Sequence, residues 1–312
     1  LSFTSCDFVD MSMSEWVISE WGEDLLEDFV QPWISALILS DPEDISASYG
    51  VLLIFSELAG VYTLEHGMGQ LSTALYRNFI RSGGIVKKKT KVIRIEHDDI
   101  ISVITDDEEN PLIRAESVIL TTQAHASAKI IESQYKKIAK ILYNIEYSSA
   151  CQIVLGLEYK IWNKSWSILI PRHEINDIAA ICEPSIKCES FSPSGKGMLE
   201  IFVYGDTAEK LYNSGKDYSV NYAIDIINDV FKNRIEDDII WSDVIYWENA
   251  LPLYNKKILQ LKEAISQLPD RLYLAGDYMF APSLEAAVKS GLIAGVSACE
   301  TQHISDTQRQ GD

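Results

Sequence analysis

Apolar and polar positions follow two rhythms along this chain. From Ser14 to about Glu57 the rhythm is helical. In SEWVISEWGEDLLEDFVQPW, Trp16, Val17, Trp21, Leu25, Phe29 and Val30 recur near helical spacing, with breaks expected at Gly22 and Pro32. SDPEDISA then reads as a helix start, Pro42 being suited to a first turn. The next stretch predicts a short strand at GVYTLE, a helix across GMGQLSTALYRNFIRSGG, and short strands with polar tips over GIVKKKTKVIRIEHDDIISVITDD. A buried strand is expected at Ser117 to Leu120. From Ala150 to about Tyr254, CQIVLGLEY, DIAAICEP, MLEIFVYGD and DVIYWENALPLY predict a mostly antiparallel sheet. One helix, near Lys216 to Asn233, interrupts it, and SFSPSGKG makes a solvent-facing turn. A last α/β strand, Leu272 to Ala275, leads into a final helix, and a polar, disordered tail is expected from Thr301.

Composition narrows the field. The 312 residues are 47% hydrophobic and 23% charged, the balance of a chain that buries a real core. A net charge of −19 argues against nucleic acid or an anionic membrane as the main partner, although peripheral membrane contact is left open. The longest apolar run, VLLIFSELAGVY from Val51, contains Glu57 and falls short of the roughly 20 residues of a membrane span. Cys6, Cys151, Cys182, Cys188 and Cys299 are scattered without a C-x-x-C pair, so a reducing, cytoplasmic setting is expected. The histidines show no metal-ligand spacing, no G-x-S-x-G occurs, and no metal is expected. The chain starts at Leu1, in a stretch that reads like the inside of a fold, and is expected to be part of a longer protein.

The final helix carries the sharpest chemical signal. Ala287, Ser290, Gly291, Ala294, Gly295 and Ala298 fall on one helical face, all of them small. Each interior glycine costs about 0.5–1 kcal/mol relative to alanine, which close approach of a neighbour would offset. Ser283 is a good N-cap, leaving the amides of Glu285, Ala286 and Ala287 expected to point outward, where partial positive charge favours an electron-rich group. Gly276 and Asp277 stand at the carboxyl end of the preceding strand, the position where open α/β sheets bind nucleotides.

LYLAGDYMFAPSLEAAVKSG resembles the carboxyl-terminal flavin-binding signature of the superfamily of flavin amine oxidases, protoporphyrinogen oxidases and carotenoid desaturases. The resemblance implies FAD contacts at Gly276, Asp277, Ser283, Glu285, Ala286 and Ala287. EHGMGQLSTAL resembles the family's Gly-Gly-Met-x-x-Leu element, with His66 in place of the first glycine, which implies Gly67 and Met68 at the cofactor. KKTKVIRIE and SVILTTQAHASAKII resemble the sheet and return strand that hold the adenosine half, implying Val92, Thr121, Thr122 and Ala124. YWENALPLY resembles a tryptophan-containing stretch before the last nucleotide segment, which with His66 implies Trp247 and Tyr254 near flavin or substrate. The helical amino-terminal stretch resembles the family's substrate domain.

One departure stands out. The family opens with a G-x-G-x-x-G unit, and the only near match here, GMGQLS, has Ser72 as its third position. Lys87 to Lys89 read as a solvated edge rather than a grip for an NADP phosphate. The amino-terminal nucleotide unit is therefore expected to lie outside this sequence, and FAD affinity to be poor unless something supplies it.

The resulting expectation is an α/β fold: an FAD-binding, Rossmann-like domain of amine-oxidase type interleaved with a substrate domain of mixed β-sheet plus helices. The first is expected over 60–130 and 269–300, the second over 1–59 and 131–268, with 301–312 as tail. The expected activity is two-electron dehydrogenation by hydride transfer to FAD, without an assigned catalytic residue. The expected partner is a small hydrophobic or amine molecule. The resemblance favours a carbon skeleton, porphyrinogen or polyene, over an amine, because the aromatic residue that amine oxidases of this superfamily carry just before the final helix is absent. TTQAHASAKII leans the same way, resembling a Thr-Thr-Pro-Ala pattern with Gln123 in place of the proline. A truncated remnant without cofactor is the other reading.

Overall fold

The structure is a computed structural model that describes residues 10–57, 60, 62–232, 234–255, 257–258, 261 and 268–309. The chain forms two compact units, Leu1–Ile85 with Tyr147–Leu251, and Val86–Glu146 with Pro252–Asp312. These boundaries put residues 60–85 with the first unit and 131–146 and 252–268 with the second, a different division from the one expected on sequence.

The amino-terminal stretch is helical, as its pattern predicts. Helix α1 (Met13–Trp21) opens with a capping box in which Ser12 and Glu15 satisfy each other's amides, and it ends at Gly22, whose φ of 90° suits glycine. Pro32 does not interrupt the next helical run. A π-turn over Leu26–Val30 hands the chain to α2 (Gln31–Ile38), with Pro32 in its first turn. A 3-10 turn at Pro42–Asp44 precedes α3 (Ala47–Glu57). Residues 62–64 are irregular rather than the strand expected at GVYTLE, of which Val61 lies outside the described residues. Helix α4 (Gly69–Arg81) follows, with no buried residue.

The second unit begins with an antiparallel meander, β1 (Val92–His97), β2 (Ile101–Thr105) and β3 (Leu112–Ala115). Strand β4 (Val118–Leu120) then leads to helices α5 (Ala124–Ile131) and α6 (Lys136–Tyr143). His97 ties the meander to these helices: its amide donates to Gln134 Oε1 at 2.8 Å, and its ring Nδ1 lies 2.9 Å from the Tyr135 hydroxyl.

Returning to the first unit, β5 (Ala150–Leu157), β6 (Ser167–Ile168), β7 (Ile178–Cys182), β8 (Gly197–Tyr204) and β9 (Ile239–Trp247) form an antiparallel sheet in the order β6-β7-β8-β5-β9. Its strands alternate cleanly. Ile153, Leu155, Leu199, Ile201 and Val203 point to one core with α7 (Gly205–Ser214) and α8 (Lys216–Phe231), which contribute Ala208, Leu211, Ala223 and Ile227. Helix α8 is the one expected near Lys216 to Asn233, and α7 precedes it in a stretch where no helix was expected. The break between them is Gly215, at φ 86°. Gln152, Glu200 and Phe202 are on the opposite face.

Strand β10 (Leu272–Leu274) pairs in parallel with β4, and α9 (Leu284–Arg309) closes the chain. The helix runs through most of the polar stretch expected to be a disordered tail, its backbone regular as far as Arg309. Among the described residues, no helix is long and apolar enough to cross a membrane.

Candidate functional site

In the second unit, the parallel pairing of β4 and β10 sets two chain segments side by side. Leu272 lies opposite Val118 and Leu274 opposite Leu120, and the Ala275 amide donates to the Leu120 carbonyl at 2.9 Å. Thr121 and Thr122 thus leave one strand next to Gly276 and Asp277 leaving the other. Gly276 has no room for a side chain: an added Cβ would sit 2.5 Å from the Tyr278 ring, which is buried. Its amide donates to Ser290 Oγ at 2.9 Å, while the Ser290 hydroxyl can donate to the Gly276 or the Ala287 carbonyl, each at 2.9 Å. Ser290, singled out in the sequence for being small, is thus also the pin between strand end and helix.

Asp277 is half-buried and accepts the Tyr278 amide at 2.8 Å. Burial raises its pKa above the ordinary aspartate range, and the amide opposes that in part. Thr121 is exposed, whereas Thr122 Oγ1 lies 2.8 Å from Ser127 Oγ and so serves the start of α5. Ala124 is fully buried, and Val92, half-buried, begins the separate meander opposite Thr105.

The start of α9 offers fewer donors than the sequence suggested. Ser283 Oγ takes the Ala286 amide at 3.2 Å, and the Ser283 carbonyl takes that of Ala287 at 3.1 Å. Two of the three amides expected to face outward are thereby committed within the turn. Ser283 and Glu285 are exposed, Ala286 is buried and Ala287 half-buried. Further along, Ser290 and Ala294 are buried, but nothing of the described chain lies within 4 Å of a Cβ added at Gly291 or Gly295. Among the described residues, no close neighbour compensates those two helical glycines.

In the first unit, Gly67 sits in a turn at φ 89°, its amide donating to the Leu64 carbonyl at 2.9 Å. Gly67 and Met68 line a cavity of about 410 Å³ with Trp166, Cys182, Lys187 and Glu200. Those last four residues also line an adjoining cavity of about 480 Å³, together with Trp33 and Leu37 of α2 and Phe202 of β8. His66 and Trp247 line neither cavity: His66 is exposed in its turn, and Trp247 is half exposed at the end of edge strand β9, opposite Ala150. Tyr254 belongs to the second unit, where partial burial raises its pKa. Nothing in the sequence marked the second cavity. It takes residues from α2, β6, β7, β8 and the turns between them, and no local spacing connects these segments.

Residues 8–299 match the family model of flavin containing amine oxidoreductases. The chain belongs to this family. A flavin cofactor and oxidoreductase chemistry come with that membership, and the mixed α/β fold is the one its flavoenzymes use. The chain is 21% identical over 299 residues to coproporphyrinogen III oxidase of Bacillus subtilis (strain 168), covering 86% of this chain and 63% of that protein. A candidate protoporphyrinogen oxidase from Exiguobacterium sp. 255-15 superposes with a TM-score of 0.74 at 16% identity, over 94% of this chain and 66% of its own. Cyclohexylamine oxidase from Brevibacterium oxydans IH-35A does so with a TM-score of 0.71 at 13% identity, over 97% and 70%. The chain thus spans about two thirds of the length of these proteins.

Proposed function

We propose that this chain supplies the flavin-facing carboxyl-terminal segments and the substrate unit of an FAD-dependent dehydrogenase acting on a carbon skeleton of porphyrinogen or polyene type. The observation that carries this reading is the juxtaposition of Thr121, Gly276 and Asp277 at the carboxyl ends of two parallel strands, followed by the start of α9. Bound FAD would accept a hydride from the substrate carbon.

The residues fit such a group. The Asp277 carboxylate is half-buried and able to accept hydrogen bonds from ligand hydroxyls. The α9 amino end carries partial positive charge, which would favour the electron-rich edge of a reduced flavin held there. Gly291 and Gly295 leave the helix bare toward open space. Gly67 and Met68 border a cavity in the substrate unit. No acid–base pair is required of the chain when the cofactor carries the chemistry; its residues position and exclude water. The tetrapyrrole named for the Bacillus relative agrees with a porphyrinogen substrate.

The test is the colour of the protein expressed from its complete reading frame. Flavin absorption that follows the protein through purification, and is lost in Ala287→Trp with the far-ultraviolet circular dichroism unchanged, is the expected result. A colourless protein in the presence of excess FAD would favour a cofactor-free module. Retention of flavin by Ala287→Trp would move the ring away from this helix.

A further inference from the structure

The cavity of about 480 Å³ in the first unit has the size of a small-molecule site, within the roughly 300–1,000 Å³ such sites occupy. Its floor is the sheet face opposite the main core. Because strands alternate, Leu199, Ile201 and Val203 of β8 go to that core while Glu200 and Phe202 go to the cavity, joined by Ala180 and Cys182 of β7. Trp33 and Leu37 of α2 and Trp166 beside β6 complete largely apolar walls.

Two ionisable side chains stand in these walls, and they are not equivalent. Lys187 ends the short helical turn Pro184–Lys187, is exposed, and holds its ammonium 3.7 Å from the centroid of the Trp166 ring. Among the described residues, no carboxylate pairs with it. Glu200, by contrast, accepts Gln152 Nε2 at 3.3 Å, and burial raises its pKa against the opposing charge of Lys187, so its negative charge is disfavoured. The Cys182 thiol is pushed up by burial to about 11 and stays neutral. Lys187 is therefore the cationic group in these walls, in a chain whose net charge of −19 otherwise repels anions.

We propose that this cavity seats an apolar, ring-bearing carboxylate, its ring against Trp33, Trp166 and Phe202 and its carboxylate on Lys187 Nζ. The shared wall of Trp166, Cys182, Lys187 and Glu200 opens such a ligand toward the cavity of Gly67 and Met68. As the seat of the oxidised substrate the assignment rests on the flavin reading above; as a binding site it does not.

Fluorescence titration with pyrenebutyric acid, pyrenebutanol and pyrenebutylamine tests it without flavin or turnover, so failure of one reading leaves the other standing. The acid is expected to bind about tenfold tighter than the alcohol. Lys187→Met and Lys187→Gln should erase that preference, Lys187→Arg should keep most of it, and Glu200→Gln should keep or strengthen it. Circular dichroism confirms that each variant is folded. Tightest binding of the amine, an acid preference that survives both neutral substitutions at Lys187, or no binding by any probe overturns the proposal.

Discussion

Ser290 shows how much one hydroxyl decides here. It is buried and meets both backbone groups of Gly276, the residue at the turn from β10 toward α9. Replacing it by alanine keeps the small face of the helix but strands the Gly276 amide. Ser290→Ala should destabilise the protein by about 1–3 kcal/mol, read by urea denaturation, since a buried donor without partner costs that much. A loss under a few tenths of a kcal/mol would show that smallness alone mattered. Gly276 and Ser290 were both legible in the sequence as members of a Gly-Asp strand end and a small-residue helix. Their bond to each other was not, because they are 14 positions apart and only the fold brings them together. The amides of Ala286 and Ala287 teach the reverse lesson: a good N-cap serine consumes donors that would otherwise be free for a ligand.

Elements hold together through a polar cluster that sequence patterning did not mark. Arg172, beyond β6, donates from Nε to Glu27 Oε2 at 2.9 Å and from Nη1 to Glu43 Oε2 at 3.1 Å, and its amide donates to Gln31 Oε1 at 3.0 Å. Gln31 is fully buried and also reaches Ser35 at 3.0 Å and the Tyr204 hydroxyl at 3.2 Å. The π-turn, α2, the 3-10 turn and β8 are thereby joined at one point, beside the helical run that continues through Pro32. Glu27 has its pKa lowered, first by the hydrogen bond from Arg172. A carboxylate with a lowered folded-state pKa stabilises the fold above its ordinary range, and the contribution is lost as pH falls through the lowered value. Arg172→Met should therefore cost about 2 kcal/mol at neutral pH. The gap between wild type and variant, measured by urea titration, should narrow below about pH 4. A gap that widens in acid would contradict this arrangement. Asp41 moves the other way, its pKa raised chiefly by burial, and loss of the Arg172 charge beside it would raise it further.

The molecule as a whole is governed by its acidity and by uncovered apolar surface. With −19 net charges, self-repulsion opposes the compact state and is screened by salt. Raising sodium chloride from about 20 mM to about 300 mM should raise the Tm by a few degrees, most of it below physiological ionic strength. A Tm that is flat or falls would mean that attractive pairs such as Arg172 with Glu27 outweigh the repulsion. Apolar side chains stand exposed on α4, at Leu75, Phe79 and Ile80, and on α9, at Leu284, Val288, Leu292 and Val296.

The sequence by itself determined most strand and helix types, GVYTLE and α7 excepted, the antiparallel character of the large sheet, and the family, the last through a Gly-Asp strand end followed by a helix of small residues. Such features are local: periodicity, glycine and capping residues act over a few positions and are visible in a linear string. Tertiary structure decided that α9 extends to Arg309, that Gly205–Ser214 forms a helix ahead of the one read from Lys216, and that Lys187, Glu200, Trp33 and Trp166 share a cavity. A cavity wall is assembled from alternating faces of strands far apart in the chain, and its chemistry comes from which side chains those faces set together.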